Sequence, residues 1–120
     1  MIEQWLARYK KFRTEKDIDG LLNLFADKFE FHEDGSFEGY IWDKDALRLY
    51  FEPILKNERE LSMDFEVFSA HGDNYSVICN SRYTWDGEAY DLSEIYLIRL
   101  NKHGAAKYFY QVGNAREYRV

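Results

Sequence analysis

Apolar residues recur at helical spacing through the first half of this chain and alternate, residue by residue, through the second. That change of period, near Leu61, confines the fold to a class in which helices come first and a sheet follows. Ile2, Trp5, Leu6, Tyr9 and Phe12 fall three and four apart, which predicts a helix over about residues 2–14 with one apolar stripe. Asp17 suits the cap of a second helix, whose buried face would be Ile18, Leu21, Leu22 and Phe25, with Gly20 as a weak point. Phe29 and Phe31 then alternate with Glu30 and His32, as in a short strand, before the turn signal Asp34-Gly35-Ser36. Asp43 is a cap for a third helix with Leu47, Tyr50, Phe51, Ile54 and Leu55 inward, and Pro53 should kink it or end it early.

From Leu61 the pattern reads as four strands, over about residues 61–71, 75–86, 88–101 and 105–114. Gly72-Asp73-Asn74, Asp86-Gly87 and Asn101-Lys102-His103-Gly104 supply the turns, so the strands form one antiparallel meander. In the third of them Tyr90, Leu92, Glu94, Tyr96, Ile98 and Leu100 share a face, and this is the face expected to lie under the helices. Glu94 and Tyr96 are then polar groups on an apolar wall, with Arg82 on the preceding strand a candidate partner for Glu94. Glu58-Arg59-Glu60 reads as solvated surface.

Composition removes several function classes. The 120 residues suit one domain spanning 1–120, and no linker or repeat divides them. A net charge of −6 disfavours a phosphate backbone or an anionic membrane as partner. Cys79 is the only cysteine, which suggests a reducing compartment, and the N-terminus lacks the pattern of a signal peptide, so a cytoplasmic location is expected. The three histidines are too scattered for a metal site, no glycine-rich phosphate loop is present, and no cofactor is expected. Ten tyrosines, each with an apolar body and a polar tip, suit a pocket wall or a subunit interface.

The order helix, helix, short strand, helix, long antiparallel sheet resembles the α+β cone of the nuclear transport factor 2-like superfamily. Asp17-Ile18, Phe25-Ala26-Asp27, Gly39-Tyr40, Tyr50-Phe51 and the hairpin from Ile98 to Gly104 carry the resemblance, over nearly the whole chain. It includes ketosteroid isomerases, SnoaL-type polyketide cyclases and proteins without catalysis, so the fold by itself assigns no chemistry. The resemblance to the isomerases implies roles for three residues. Tyr9 stands where a first-helix tyrosine donates to an enolate oxygen. Glu33 stands near the position of the carboxylate base. Tyr96 stands where a protonated aspartate donates. Both latter positions depart from the isomerase residue type.

Such a set can abstract a proton alpha to a carbonyl and stabilise the resulting oxyanion without a cofactor. Phe29, Phe31, Trp85 and Tyr96 are expected to wall the Glu33 carboxylate. Trp5, Trp42, Phe51, Glu94 and Tyr110 are further candidates for lining a site for a small hydrophobic ligand. Tyr9 and Glu33 each have a plainer alternative, as ordinary core and as a solvated acid beside a turn; His32 faces away from Glu33 by parity, and the resemblance keeps it as a reserve candidate because other cone-fold enzymes use a His/Asp pair. Three functions compete: an isomerase or cyclase acting on a small apolar carbonyl compound, a non-catalytic binder of such a compound, and a protein-interaction domain with a filled interior. The outer sheet face, with Ile95 and Leu97, is expected to form a homodimer.

Overall fold

The computed structural model describes residues 1–32, 40–112 and 118–119. Glu33, the expected base, lies outside the described residues. Along the chain run α1 (Ile2–Glu15), α2 (Ile18–Asn23), β1 (Phe25–His32), β2 (Tyr40–Asp43), α3 (Lys44–Asn57), β3 (Glu58–His71), β4 (Asn74–Trp85), β5 (Glu88–Leu100), β6 (Ala106–Val112) and β7 (Tyr118–Arg119). The three helices pack on one face of a sheet whose order is β2-β1-β6-β5-β4-β3, with β7 paired to β5. The α+β cone expected from the sequence is the fold observed.

Local signals set the element ends. Asp17 accepts from Gly20 N at the start of α2, and Asp43 accepts from Ala46 N at the start of α3, both at 2.9 Å. Asp86 and Gly87 both have positive φ, which gives the β4–β5 hairpin a turn whose twist matches its strands. Gly20 is required by close approach: a Cβ there would sit 2.6 Å from the Phe12 ring, so the weak helix former is what lets α2 lie against α1.

The sheet departs from a pure antiparallel meander. β1 runs parallel to β6, pairing Glu30 with Tyr108 and Phe31 with Phe109, and β2 pairs antiparallel on its other side. Phe25, expected to end α2, instead opens β1. The carbonyl of the preceding Leu24 accepts from both the Trp5 indole and Ala106 N, each at 2.8 Å, and those two bonds draw the chain out of the helix into the sheet. Pro53 does not end α3, which continues to Asn57. The backbone bond that Pro53 cannot make would go to the carbonyl of Leu49, and Leu49 is exposed, so water can serve there.

Strand parity sorts the two faces. Val77, Cys79 and Ser81 of β4, Tyr96, Ile98 and Leu100 of β5, and Phe109 and Gln111 of β6 are buried under the helices, as expected for β5. A bulge in β3 breaks the parity. The register shifts between Arg59 and Ser62, with Glu60 at positive φ, so Glu58 faces inward like Met63 although the two differ in parity.

Candidate functional site

The centre of the interior is an aromatic cluster built on Tyr9. Helical spacing puts Tyr9 on the buried stripe of α1 one turn beyond Trp5, and the two rings stack at 5.3 Å. Phe51 of α3, Phe65 of β3, Tyr96 of β5 and Phe109 of β6 each bring a ring centroid to between 6.1 and 6.3 Å of Tyr9. Tyr9 is fully buried and Tyr96 nearly so, at 0% and 2% exposed. A second group of rings continues from Phe109 through Phe31 to Trp42 and Tyr50, with Trp42 stacked 4.4 Å from Phe31. Phe29 packs beside Phe25 at 5.0 Å.

Polar groups enter this cluster from five elements, α1 and β3 to β6. Arg13, one turn after Tyr9, donates from Nη1 to the Tyr9 oxygen at 2.8 Å. Its Nη2 lies 2.9 and 3.1 Å from the two oxygens of Glu58, at the start of β3. Both side chains of this ion pair are over nine-tenths buried. Cys79 of β4 contacts Tyr96, its register partner is Glu94 of β5, and Gln111 of β6 is the register partner of Tyr96. Gln111 reaches the Tyr50 hydroxyl at 3.5 Å.

The electrostatics follow from burial. Burial raises the pKa of Tyr9, and the Arg13 guanidinium pulls part of the way back. Burial together with the neighbouring Tyr9, Cys79 and Glu94 holds Tyr96 well above an ordinary phenol. Both phenols therefore stay protonated through the neutral range. Burial works against the charge of Arg13, but Tyr9 and Glu58 outweigh it and its pKa ends raised. The Tyr9 oxygen accepts from a group that has no acceptor, so its own proton is left to be donated elsewhere.

Not every expected wall residue joins the cluster. Tyr96, Phe51, Trp5, Phe31, Phe29 and Trp42 do. Tyr110 falls on the outer face of β6, where its ring lies 5.0 Å from that of His32. Trp85 sits at the far end of β4, opposite Glu58 and Glu88, with β5 and β6 between its strand and Phe31. Arg82 is not the partner of Glu94: parity puts it on the outer face, 2.7 Å from Asp91. Glu58, read as solvated surface, is buried. The residues missed by the sequence reading are thus Arg13, Glu58 and Gln111. Arg13 had a signal, since it lies four residues past Tyr9 on the same stripe. Glu58 had none, because a bulge decides its direction.

Three surface hollows are defined by described residues, and Tyr9 and Tyr96 line none of them. One of about 310 Å³ is bordered by Ser62, Asp64, Asn80, Arg82, Asp91 and Ser93. One of about 480 Å³ lies near Glu30, His71, Arg99 and Tyr108, and one of about 380 Å³ lies between α1 and β3. Among the described residues no group of His, Cys, Asp and Glu is arranged to hold a metal, and no helix is long and apolar enough to cross a membrane.

Helices closing one face of a strongly curved mixed sheet, around a phenol on the first helix, define a cone of the nuclear transport factor 2-like class. The chain belongs to the SnoaL-like domain family, whose family model matches residues 2–108. No curated protein matches it. Several solved structures share the fold. RV0760c from Mycobacterium tuberculosis superposes with a TM-score of 0.78 at 19% identity, over 92% of this chain and 88% of that one. A second structure holds that protein in complex with estradiol-17beta-hemisuccinate. A Delta 5-3-ketosteroid isomerase from Mycobacterium sp. gives 0.77 at 15% identity, covering 92% and 91% of the two chains. SalBIII, an epoxide hydrolase/cyclase-like enzyme of pyran ring formation in salinomycin, gives 0.77 at 16% identity, covering 92% and 88%. At these identities the likeness is one of fold.

Proposed function

We propose that this chain binds a small apolar compound through a carbonyl or enol oxygen and acts on it as a cofactor-independent isomerase or cyclase. The observation that carries the reading is the Tyr9 phenol: buried, protonated, and with its oxygen already held by Arg13, so that its proton is available to a ligand oxygen. Tyr96, buried beside it, is the second donor. Neutral donors in a low-dielectric interior stabilise charge that appears only during reaction, which an enolate requires. The aromatic surroundings favour an apolar substrate body. Among structures with the same fold, one is a ketosteroid isomerase, in line with isomerase chemistry, and SalBIII is an epoxide hydrolase/cyclase-like enzyme, in line with a cyclase.

Proton abstraction needs a base. Glu33 is the candidate by its place in the sequence. Glu94 is the carboxylate on the inner wall whose charge is felt by both phenols and by Cys79. Exchange of the alpha protons of 2-tetralone in deuterium oxide, followed by proton NMR, tests the reaction directly. Catalysed exchange above the buffer rate that is lost in Tyr9→Phe and in either Glu33→Gln or Glu94→Gln supports it. No exchange by the wild-type protein at any pH between 6 and 9 refutes the enzymatic reading. Binding of 2-naphthol, an aromatic stand-in for the enol, without exchange would leave a non-catalytic ligand-binding protein.

We also propose that the outer face of β4, β5 and β6 pairs with a second copy of the chain. Ile95 is 36% exposed there, and Glu30 and Arg99, of opposite charge, lie on the same face. Light scattering coupled to gel filtration should give a dimer that Ile95→Lys converts to monomer. A monomeric wild-type protein would refute the proposal.

A further inference from the structure

A phenol donates most effectively to a developing oxyanion when its own oxygen is held by another donor. That contact fixes the direction of the remaining O–H and disperses the charge that builds on the ring. Tyr9 has such a contact in Arg13, at 2.8 Å. Arg13 is itself fixed, because Nη2 donates to both carboxylate oxygens of Glu58, which the β3 bulge turns inward. The contact also satisfies a buried guanidinium N–H, so Tyr9, Arg13 and Glu58 form one hydrogen-bonded unit that joins the phenol to the start of β3. Apolar side chains of similar volume make that join with less desolvation.

We propose that Arg13, clamped by Glu58, is a positioning residue that aims the Tyr9 hydroxyl at a bound oxygen and strengthens the hydrogen bond Tyr9 gives there. The inference rests on the reading of Tyr9 as a donor to ligand. Among the described residues, the charged and titratable groups that bear on the Tyr9 phenol come from three elements: Arg13 on α1, Cys79 on β4, and Tyr96 and Glu94 on β5. Glu58 of β3 acts on it through Arg13, while Phe51, Phe65 and Phe109 contribute rings. Among these groups Arg13 is the cation, and it opposes Cys79 and Glu94, which disfavour charge on the phenol.

The test compares two probes that differ by one oxygen, 2-naphthol and naphthalene, titrated by fluorescence into the full chain. The ratio of their affinities isolates the hydrogen bond, and naphthalene alone reports whether the apolar site is intact. The wild-type protein should prefer 2-naphthol, and Tyr9→Phe should abolish the preference. Arg13→Met and Glu58→Gln should each reduce it at least threefold while naphthalene affinity holds. In ¹³Cζ-tyrosine NMR the Tyr9 resonance should move in both variants. If the wild-type protein shows no preference, the donor reading of Tyr9 fails and the inference with it. If the preference disappears in Tyr9→Phe yet persists unchanged in the two clamp variants, the inference alone is overturned. Should Arg13→Met not fold, Glu58→Gln, which still offers Arg13 an amide oxygen, decides the question by the same ratio.

Discussion

Replacing Glu58 with alanine should be among the most damaging single changes available outside the apolar core. The carboxylate and the Arg13 guanidinium are both buried, with Nη2 at 2.9 and 3.1 Å from its oxygens. Removing the acid leaves a cation away from water with the Tyr9 oxygen as its remaining partner among the described residues, which offer buried Arg13 Nε none. Opposite charges centred roughly 4 Å apart interact by about 4 kcal/mol at an effective dielectric of 20. Breaking one side of a buried pair costs about 3–5 kcal/mol. A domain of this length melts with an entropy of about 0.25 kcal/mol/K, so the melting temperature should fall by about 15 °C. Thermal and urea unfolding followed by circular dichroism measure this. The double variant Arg13→Met/Glu58→Leu, which removes both charges and fills the volume, should recover most of the loss, because no uncompensated ion remains. A loss below about 1 kcal/mol for Glu58→Ala, the size expected of an exposed pair, would refute the reasoning. So would a double variant no more stable than the single one.

Gly20→Ala should destabilise by about 1–3 kcal/mol despite alanine's better helix propensity, because the new Cβ meets the Phe12 ring at 2.6 Å; urea midpoints check it, and a neutral or stabilising result would contradict the packing. Cys79 should resist a thiol reagent such as DTNB at pH 8 in the folded protein and react freely in urea. Burial pushes its thiol up to about 11, the contact with Tyr96 pulling it down and Glu94 pushing it up, so fast native labelling would count against the assigned burial. Stability should fall as pH rises above about 10. Tyr9 and Tyr96 keep their protons in the folded chain at pH values where the unfolded chain releases them, so the fold binds more protons there and alkali favours unfolding. Urea midpoints taken between pH 8 and 11, with Tyr96→Phe as comparison, should show the fall shrink in the variant.

Residue spacing and turn chemistry were enough to establish the helices, the four long strands, the aspartate caps and the inward face of β5. Those features depend on groups within a few residues of one another: a stripe at three and four, an alternation of two, a carboxylate three residues before an amide. They were also enough to place Tyr9 and Tyr96 inside, since each lies on an apolar face of its own element.

Tertiary structure alone decided the parallel pairing of β1 with β6, the capture of the Leu24 carbonyl that moves Phe25 from helix to strand, and the passage of α3 through Pro53. It also decided that Glu58 is buried on Arg13 while Arg82 goes to Asp91 and Tyr110 to the outer face. Apart from α3, where exposure of Leu49 lets water replace the bond lost at Pro53, each of these turns on which distant segment supplies a partner, or on which side a side chain falls once the strand register is set. A one-residue shift of register in a bulged strand reverses the side to which a side chain points without altering the composition that a reader of the sequence sees.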